Sequence, residues 1–271
     1  MGDITLSAGV RQNLLALQNT ADLFTQTSNR LATGKKVNSA LDNPNSFFTA
    51  QSLQGRASDL SNLLDAESNA VQTVQAANQG ITAIQKLVDS AKALANQALQ
   101  TSNTTTRADL STQFGDLLTQ IDQLAKDSGF NGINLLNGDD LTVNFNEDGT
   151  SSVTINGFTD TTAGDLGIAA AANSWAANTD INAALTDISD ATSTLRSQGA
   201  KLGSSLAVVQ TRQDFTKNII NVLQVGADNL TLADSNEEAA NLTALQTRQQ
   251  ISTVALSLSN QQEQQVLRLF S

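Results

Sequence analysis

Residues Leu185 to Leu230 read LTDISDATSTLRSQGAKLGSSLAVVQTRQDFTKNIINVLQVGADNL. Steps of three and four residues from Leu185 reach Leu185, Ile188, Thr192, Leu195, Gly199, Leu202, Leu206, Val209, Gln213, Thr216, Ile220, Leu223, Ala227 and Leu230. Most of these are apolar, and the residues between them are mostly Ser, Asn, Gln, Asp and Arg. A stripe that repeats every 3.5 residues keeps one narrow seam turned toward a partner, as in a coiled coil. At 1.5 Å per residue such a helix is about 69 Å long, more than a compact globule needs. This reading predicts a rod.

The same steps from Leu60 give Leu60, Leu63, Glu67, Ala70, Val74, Ala77, Ile81, Ile84, Val88, Ala91, Ala95 and Ala98, with only Glu67 breaking the stripe. Frequent Ala permits close helix approach, and each larger residue buried across the seam contributes about 1.5–3 kcal/mol. Two seams of similar length are expected to pair with each other. The bland alternative is two unrelated amphipathic helices of a large bundle.

Composition supports long helices. A single Pro, Pro44, leaves most of the 271 residues free of helix breakers. The net charge of −11 argues against nucleic acid, whose phosphates need clustered Lys and Arg. Cys and His are both absent, which excludes disulfides, thiolate metal sites and the commonest general base. Neither a cofactor nor a metal site is expected. The start, MGDITLSAGV, lacks the charged and apolar regions of a signal peptide, and no apolar run is long enough for a membrane span.

Residues 10 to 31 carry a shorter stripe, Val10, Leu14, Leu17, Ala21, Phe24, Ser28 and Leu31, ended by Gly34 as a left-handed cap. Between 34 and 54 the periodicity fails, and Asn38, Asp42, Asn43, Pro44 and Asn45 predict an irregular connection. A third rod helix follows Thr106, read with Asp109 as a capping box. It carries Leu110, Phe114, Leu117, Ile121 and Leu124 and closes near Gly129. Asn131-Gly132 and Asn137-Gly138 predict tight turns. Leu141, Val143 and Phe145, then Val153 and Ile155, alternate with polar residues around Asp148-Gly149, which predicts one β-hairpin lying on the helices. Segment 139–180 is polar and Gly-rich and reads as a surface insertion, anchored by Trp175. The last helix keeps the spacing through Ile251, Ala255, Leu258, Gln262, Gln265 and Leu269, and ends in Val266, Leu267, Leu269 and Phe270, an apolar end that needs a partner.

The two ends of the chain resemble bacterial flagellin. The run NRLATGKKVNSALDN at residues 29–43, the run DSGFNGINLLNG at 127–138, AANLT at 239–243 and QVLRLF at 265–270 look like that family's motifs in their usual places. The resemblance implies a structural subunit that self-assembles into the helical flagellar filament used for swimming. A hook-filament junction protein of the same axial family is the alternative. It also implies export through the flagellar secretion channel without a cleaved signal, an extracellular location, and as partners other copies of the chain, the export apparatus with its chaperone, and the cap and hook-junction proteins. No enzyme motif is present: there is no His-Glu-x-x-His, phosphate loop or Ser-His pair. Segment 42–48 departs from the commoner Asp-Asp-Ala-Ala-Gly, and residues 92–97 alter the element read by the innate receptor.

The expected fold is therefore mainly α: a long antiparallel coiled-coil rod at 55–235 with one small β-hairpin, and residues 1–33 paired with 236–271 as an inner layer. The expected assembly interface comprises Val10, Leu14, Leu17, Phe24, Leu31, Ile251, Leu258, Val266, Leu267, Leu269 and Phe270.

Overall fold

The computed structural model describes residues 8–269. They form five helices and one two-stranded sheet: α1 (Ala8–Thr33), α2 (Pro44–Leu99), α3 (Thr104–Asp127), β1 (Leu141–Asn144), β2 (Ser152–Ile155), α4 (Asn178–Thr231) and α5 (Ser235–Leu269). The chain divides into two compact units. One combines the two ends, up to Gly55 and from Val222 onward, and the other runs from Arg56 to Asn221. Residues 222–235, expected in the rod, thus belong with the terminal helices.

In the central unit α2 and α4 run antiparallel. Thr216 Oγ1 donates to Glu67 Oε1 at 3.1 Å, Gln213 Nε2 donates to Ser68 Oγ at 2.8 Å, and Gly199 faces Ile81 fourteen residues further along α2. The stripe read from Leu60 is buried at every position except Leu63, which is half-buried. On α4 the heptad positions Ile188, Leu195, Leu202, Val209 and Thr216 are buried, while Leu185, Thr192, Leu206 and Gln213 are half-buried. Near its start α4 also buries Ala184, Ala191 and Gln198, a third line that a two-helix seam does not require. That extra burial comes from α3 and the segment after it, whose Phe114, Ile121, Leu135, Leu136 and Trp175 join one core with both seams.

Local chemistry sets the helix starts, and two differ from the sequence reading. Asn103, not Thr106, caps α3, its Oδ1 accepting from the N–H groups of Thr105 (2.9 Å) and Thr106 (3.1 Å). Helix α2 begins at Pro44, inside the stretch 34–54 expected to be irregular. Asn43 caps it, its Oδ1 accepting from Ser46 N at 3.1 Å, and Pro44 sits at the first helical position, where its missing N–H costs nothing. The turn residues were real, but they mark a helix start. Only 34–43 is irregular.

Segment 139–180 also corrects its reading as a surface insertion. The strands pair Leu141 with Ile155 and Val143 with Val153, and Leu141, Val143 and Ile155 are buried. Ala163, Leu166, Ile168 and Trp175 are buried as well, so the segment supplies a wall of the core. Its exposed residues include the hairpin loop 147–150 and residues 172–174 and 176–179 on either side of Trp175. Asn173, Ser174 and Trp175 all have positive φ, between 47° and 55°. Three non-glycine residues there cost roughly 1–2 kcal/mol each. Trp175 is fully buried with its ring centroid 4.9 Å from that of Phe114, and its buried area contributes about 4–6 kcal/mol against this strain and against an indole N–H buried without a partner.

Candidate assembly interface

The terminal unit is built on α1 and α5, which pack lengthwise against each other. Arg30 Nη1, near the end of α1, meets Glu238 Oε1, at the start of α5, at 3.3 Å, so the pair is antiparallel. Next to this contact the chain crosses itself. Lys36 N and Val37 N donate to Thr231 O at 2.8 and 3.2 Å, and Ala233 N donates to Gly34 O at 3.0 Å. Gly34 has φ 69°, as its role in ending α1 requires. The following turn is fixed by Asp42. Its carboxylate accepts from Asn38 N (3.0 Å), Ser39 N (2.9 Å) and Ser39 Oγ (3.2 Å), and the two backbone donors pull its pKa below the usual aspartate value.

Facing residues show how each helix divides. On α1 the inward line is Val10, Asn13, Leu17, Thr20, Phe24 and Thr27, in alternating steps of three and four. Val10, Thr20 and Thr27 are buried; the others are half-buried. On α5 the line is Glu238, Leu242, Leu245, Gln249, Ser252, Leu256 and Ser259, at the same spacing. Half of these inward residues are polar, so the pair buries little apolar surface between its own helices.

Other apolar side chains of α5 lie outside. Ile251 is 64% exposed, Val254 67% and Leu258 56%. On α1, Leu15 and Leu23 are exposed, and Leu14 and Leu31 are just over one-third exposed. Of the expected interface residues, then, Val10, Leu17 and Phe24 lie on the inward line of α1, whereas Leu14, Leu31, Ile251 and Leu258 face solvent. The side chains of Val266, Leu267 and Leu269, and all of Phe270, lie outside the described residues. Spacing alone read α5 as one stripe through Ile251 and Leu258. The helix carries two, and the inward one, with Leu242, Leu245 and Leu256, is interrupted by Gln and Ser. Val254, Leu15 and Leu23, also exposed, fall between those steps.

Exposed apolar residues also occur outside α1 and α5, among them Val222 (65%) and Val225 (57%) on α4. Leu41, 96% exposed, tips the turn held by Asp42, and Phe48 is exposed in the second turn of α2. Val208 and Phe215 are exposed on α4, seven residues apart. Among the described residues no group of three or more His, Cys, Asp or Glu is placed to hold a metal ion, and no helix is long and apolar enough to cross a membrane.

These features coincide with matches to known proteins. The model of the bacterial flagellin N-terminal helical region matches residues 8–140, and that of the C-terminal helical region matches residues 162–270. Flagellin FljM of Caulobacter vibrioides is 34% identical over 266 residues, covering 95% of each chain. Flagellin FljK of the same organism is 32% identical over 276 residues, covering all of this chain and 99% of that one. The crystal structure of Bacillus cereus flagellin is similar with a TM-score of 0.49 at 19% identity, covering 56% of this chain and 88% of that one. The chain belongs to the bacterial flagellin family.

Proposed function

We propose that this chain polymerises through the outward faces of the paired terminal helices, with Ile251, Val254 and Leu258 on α5 and Leu14, Leu15, Leu23 and Leu31 on α1 buried between subunits. Flagellins are structural proteins, and this chain is a subunit of the flagellar filament. The observation that carries the finer reading is the division of α5: a half-polar face is turned to α1, while Ile251, Val254 and Leu258 are left in solvent. Apolar surface left in water costs about 25 cal/mol per Å², and a second copy of the same chain can cover it. Identical contacts that do not close on themselves generate an open helix. Val266, Leu267, Leu269 and Phe270 follow in the sequence and in this reading complete the interface.

In this reading the subunit is exported through the flagellar secretion route and functions outside the cell. Its partners are the export apparatus with its chaperone, the filament cap and the hook-junction proteins. No cofactor takes part. The test is Ile251→Asp with Leu258→Asp in the full chain, assayed for seeded polymerisation by electron microscopy. The variant should melt as the unchanged monomer does and form no filaments. Filaments of normal length would place the interface elsewhere.

A further inference from the structure

Glu67 has no part in the assembly reading, yet it is fully buried in the seam of the central unit. One carboxyl oxygen, Oε1, accepts from Thr216 Oγ1 at 3.1 Å, and the other, Oε2, is buried with no partner. Leu60 precedes it by one heptad and Val74 follows it by one, both buried, so Glu67 occupies a position that is otherwise apolar. The charged groups that act on it are Lys217 and Arg212 of α4. Neither forms an ion pair with it. Lys217 is exposed and reaches Asp214 at 3.5 Å, and the Arg212 guanidinium lies 5.3 Å from the centroid of the Phe145 ring in the hairpin. The hairpin's own acid, Glu147, is held by Arg56 at 2.6 Å, and Asp65 on α2 is exposed.

We propose that Glu67 is a protonation switch in the α2–α4 seam: as the neutral acid it lets the helices close, and as the carboxylate it loosens the seam around residues 67 and 216. The physical cause is the unpartnered oxygen. A neutral carboxyl buried with one hydrogen bond costs far less than a carboxylate in the same place, because ionisation adds the desolvation of a full charge. Burial accordingly raises its pKa above the ordinary 4.5, against smaller opposing effects of the Thr216 hydroxyl, Lys217 and Arg212. Because the folded value is raised, the stabilisation is complete below 4.5 and is lost as pH rises through the folded value. The proton is released to water, and the carboxylate is left to recruit solvent or one of the two α4 cations, either of which moves the seam.

Glu67→Gln keeps the size and the Thr216 hydrogen bond but cannot ionise. Thermal unfolding of the full chain and of E67Q, each as monomer, should be measured from pH 4 to pH 8. The melting temperature of E67Q should exceed that of the unchanged chain by a margin that grows with pH. A margin independent of pH, or one that shrinks as pH rises, overturns the proposal; the latter would mean that Lys217 or Arg212 already pairs with the carboxylate. Carboxyl carbon NMR of the unchanged chain supplies a second readout that holds even if E67Q fails to fold. Glu67 should titrate above 4.5, and further up in Thr216→Val, whereas titration at or below 4.5 refutes the switch.

Discussion

Gly80 and Gly203 both lie inside helices of the central unit, and the same substitution should move stability in opposite directions. Ala is about 0.8–1 kcal/mol better than Gly in a helix interior. At Gly203 in α4 nothing lies within 4 Å of an added Cβ, so that gain should appear in full. At Gly80 in α2 the added Cβ would lie 2.6 Å from Ser128 Cβ and 2.8 Å from Leu136 Cδ1, closer than real carbon atoms approach. Ser128 cannot easily yield, because its hydroxyl donates to Leu124 O at 2.6 Å at the end of α3. Such overpacking costs about 1–3 kcal/mol. The helix term is common to both substitutions, so the difference between G203A and G80A isolates the packing cost. Thermal unfolding followed by far-UV circular dichroism should place G203A above the unchanged chain by roughly 2–4 °C, and G80A below G203A by roughly 2–12 °C. Equal stabilisation by both would refute the close approach of α2 to the end of α3, and with it the packing that holds the third helix.

Arg107→Met should cost about 3–5 kcal/mol in the same assay, because the buried guanidinium donates to Ala98 O, Thr101 O, Ala176 O and Asn178 Oδ1 and joins the ends of α2, α3 and α4. Arg107→Lys should recover little of it, since one ammonium cannot reach all four acceptors. Trp175→Ala should cost about 3–5 kcal/mol, the usual loss for a buried aromatic. Asp42→Asn should speed amide exchange at Asn38 and Ser39. In the unchanged chain that protection should fade as pH falls through the lowered pKa of Asp42, below 3.8, because a depressed carboxylate stabilises only while ionised. Deleting residues 261–271 should abolish polymerisation and leave the thermal transition of the central unit nearly unchanged.

The long seams were legible because Leu, Ile and Val recur at 3.5-residue spacing on a polar background, and burial follows that spacing along α2 and α4. The hairpin was legible from alternation at Leu141, Val143 and Ile155. Asn131-Gly132 forms the two-residue turn it announced, with Phe130 and Ile133 exchanging backbone hydrogen bonds at 2.9 and 3.0 Å. What escaped was chemistry without a period. Asn43 and Asn103 cap helices through side-chain contacts that other turn-forming residues nearby could equally have offered. Arg107 is a charged residue that only its four acceptors explain. Segment 139–180 hid its core role because Ala163, Leu166, Ile168 and Trp175 are set in an irregular backbone. On α5 Ile251, Val254 and Leu258 outside match Leu242, Leu245 and Leu256 inside, so hydrophobicity did not separate the face that α1 covers from the one it does not. In the proposed assembly the contact forms only between copies, and the single chain shows just its uncovered half.

That uncovered half can be observed directly, since the chain contains no cysteine. A single thiol introduced by Ile251→Cys should react freely with a maleimide in the monomer, where this position is 64% exposed. After seeded polymerisation the same thiol should be protected, and prior modification should block assembly. Equal reactivity in monomer and filament would show that this face of α5 stays in solvent, and would contradict assembly through the terminal helices.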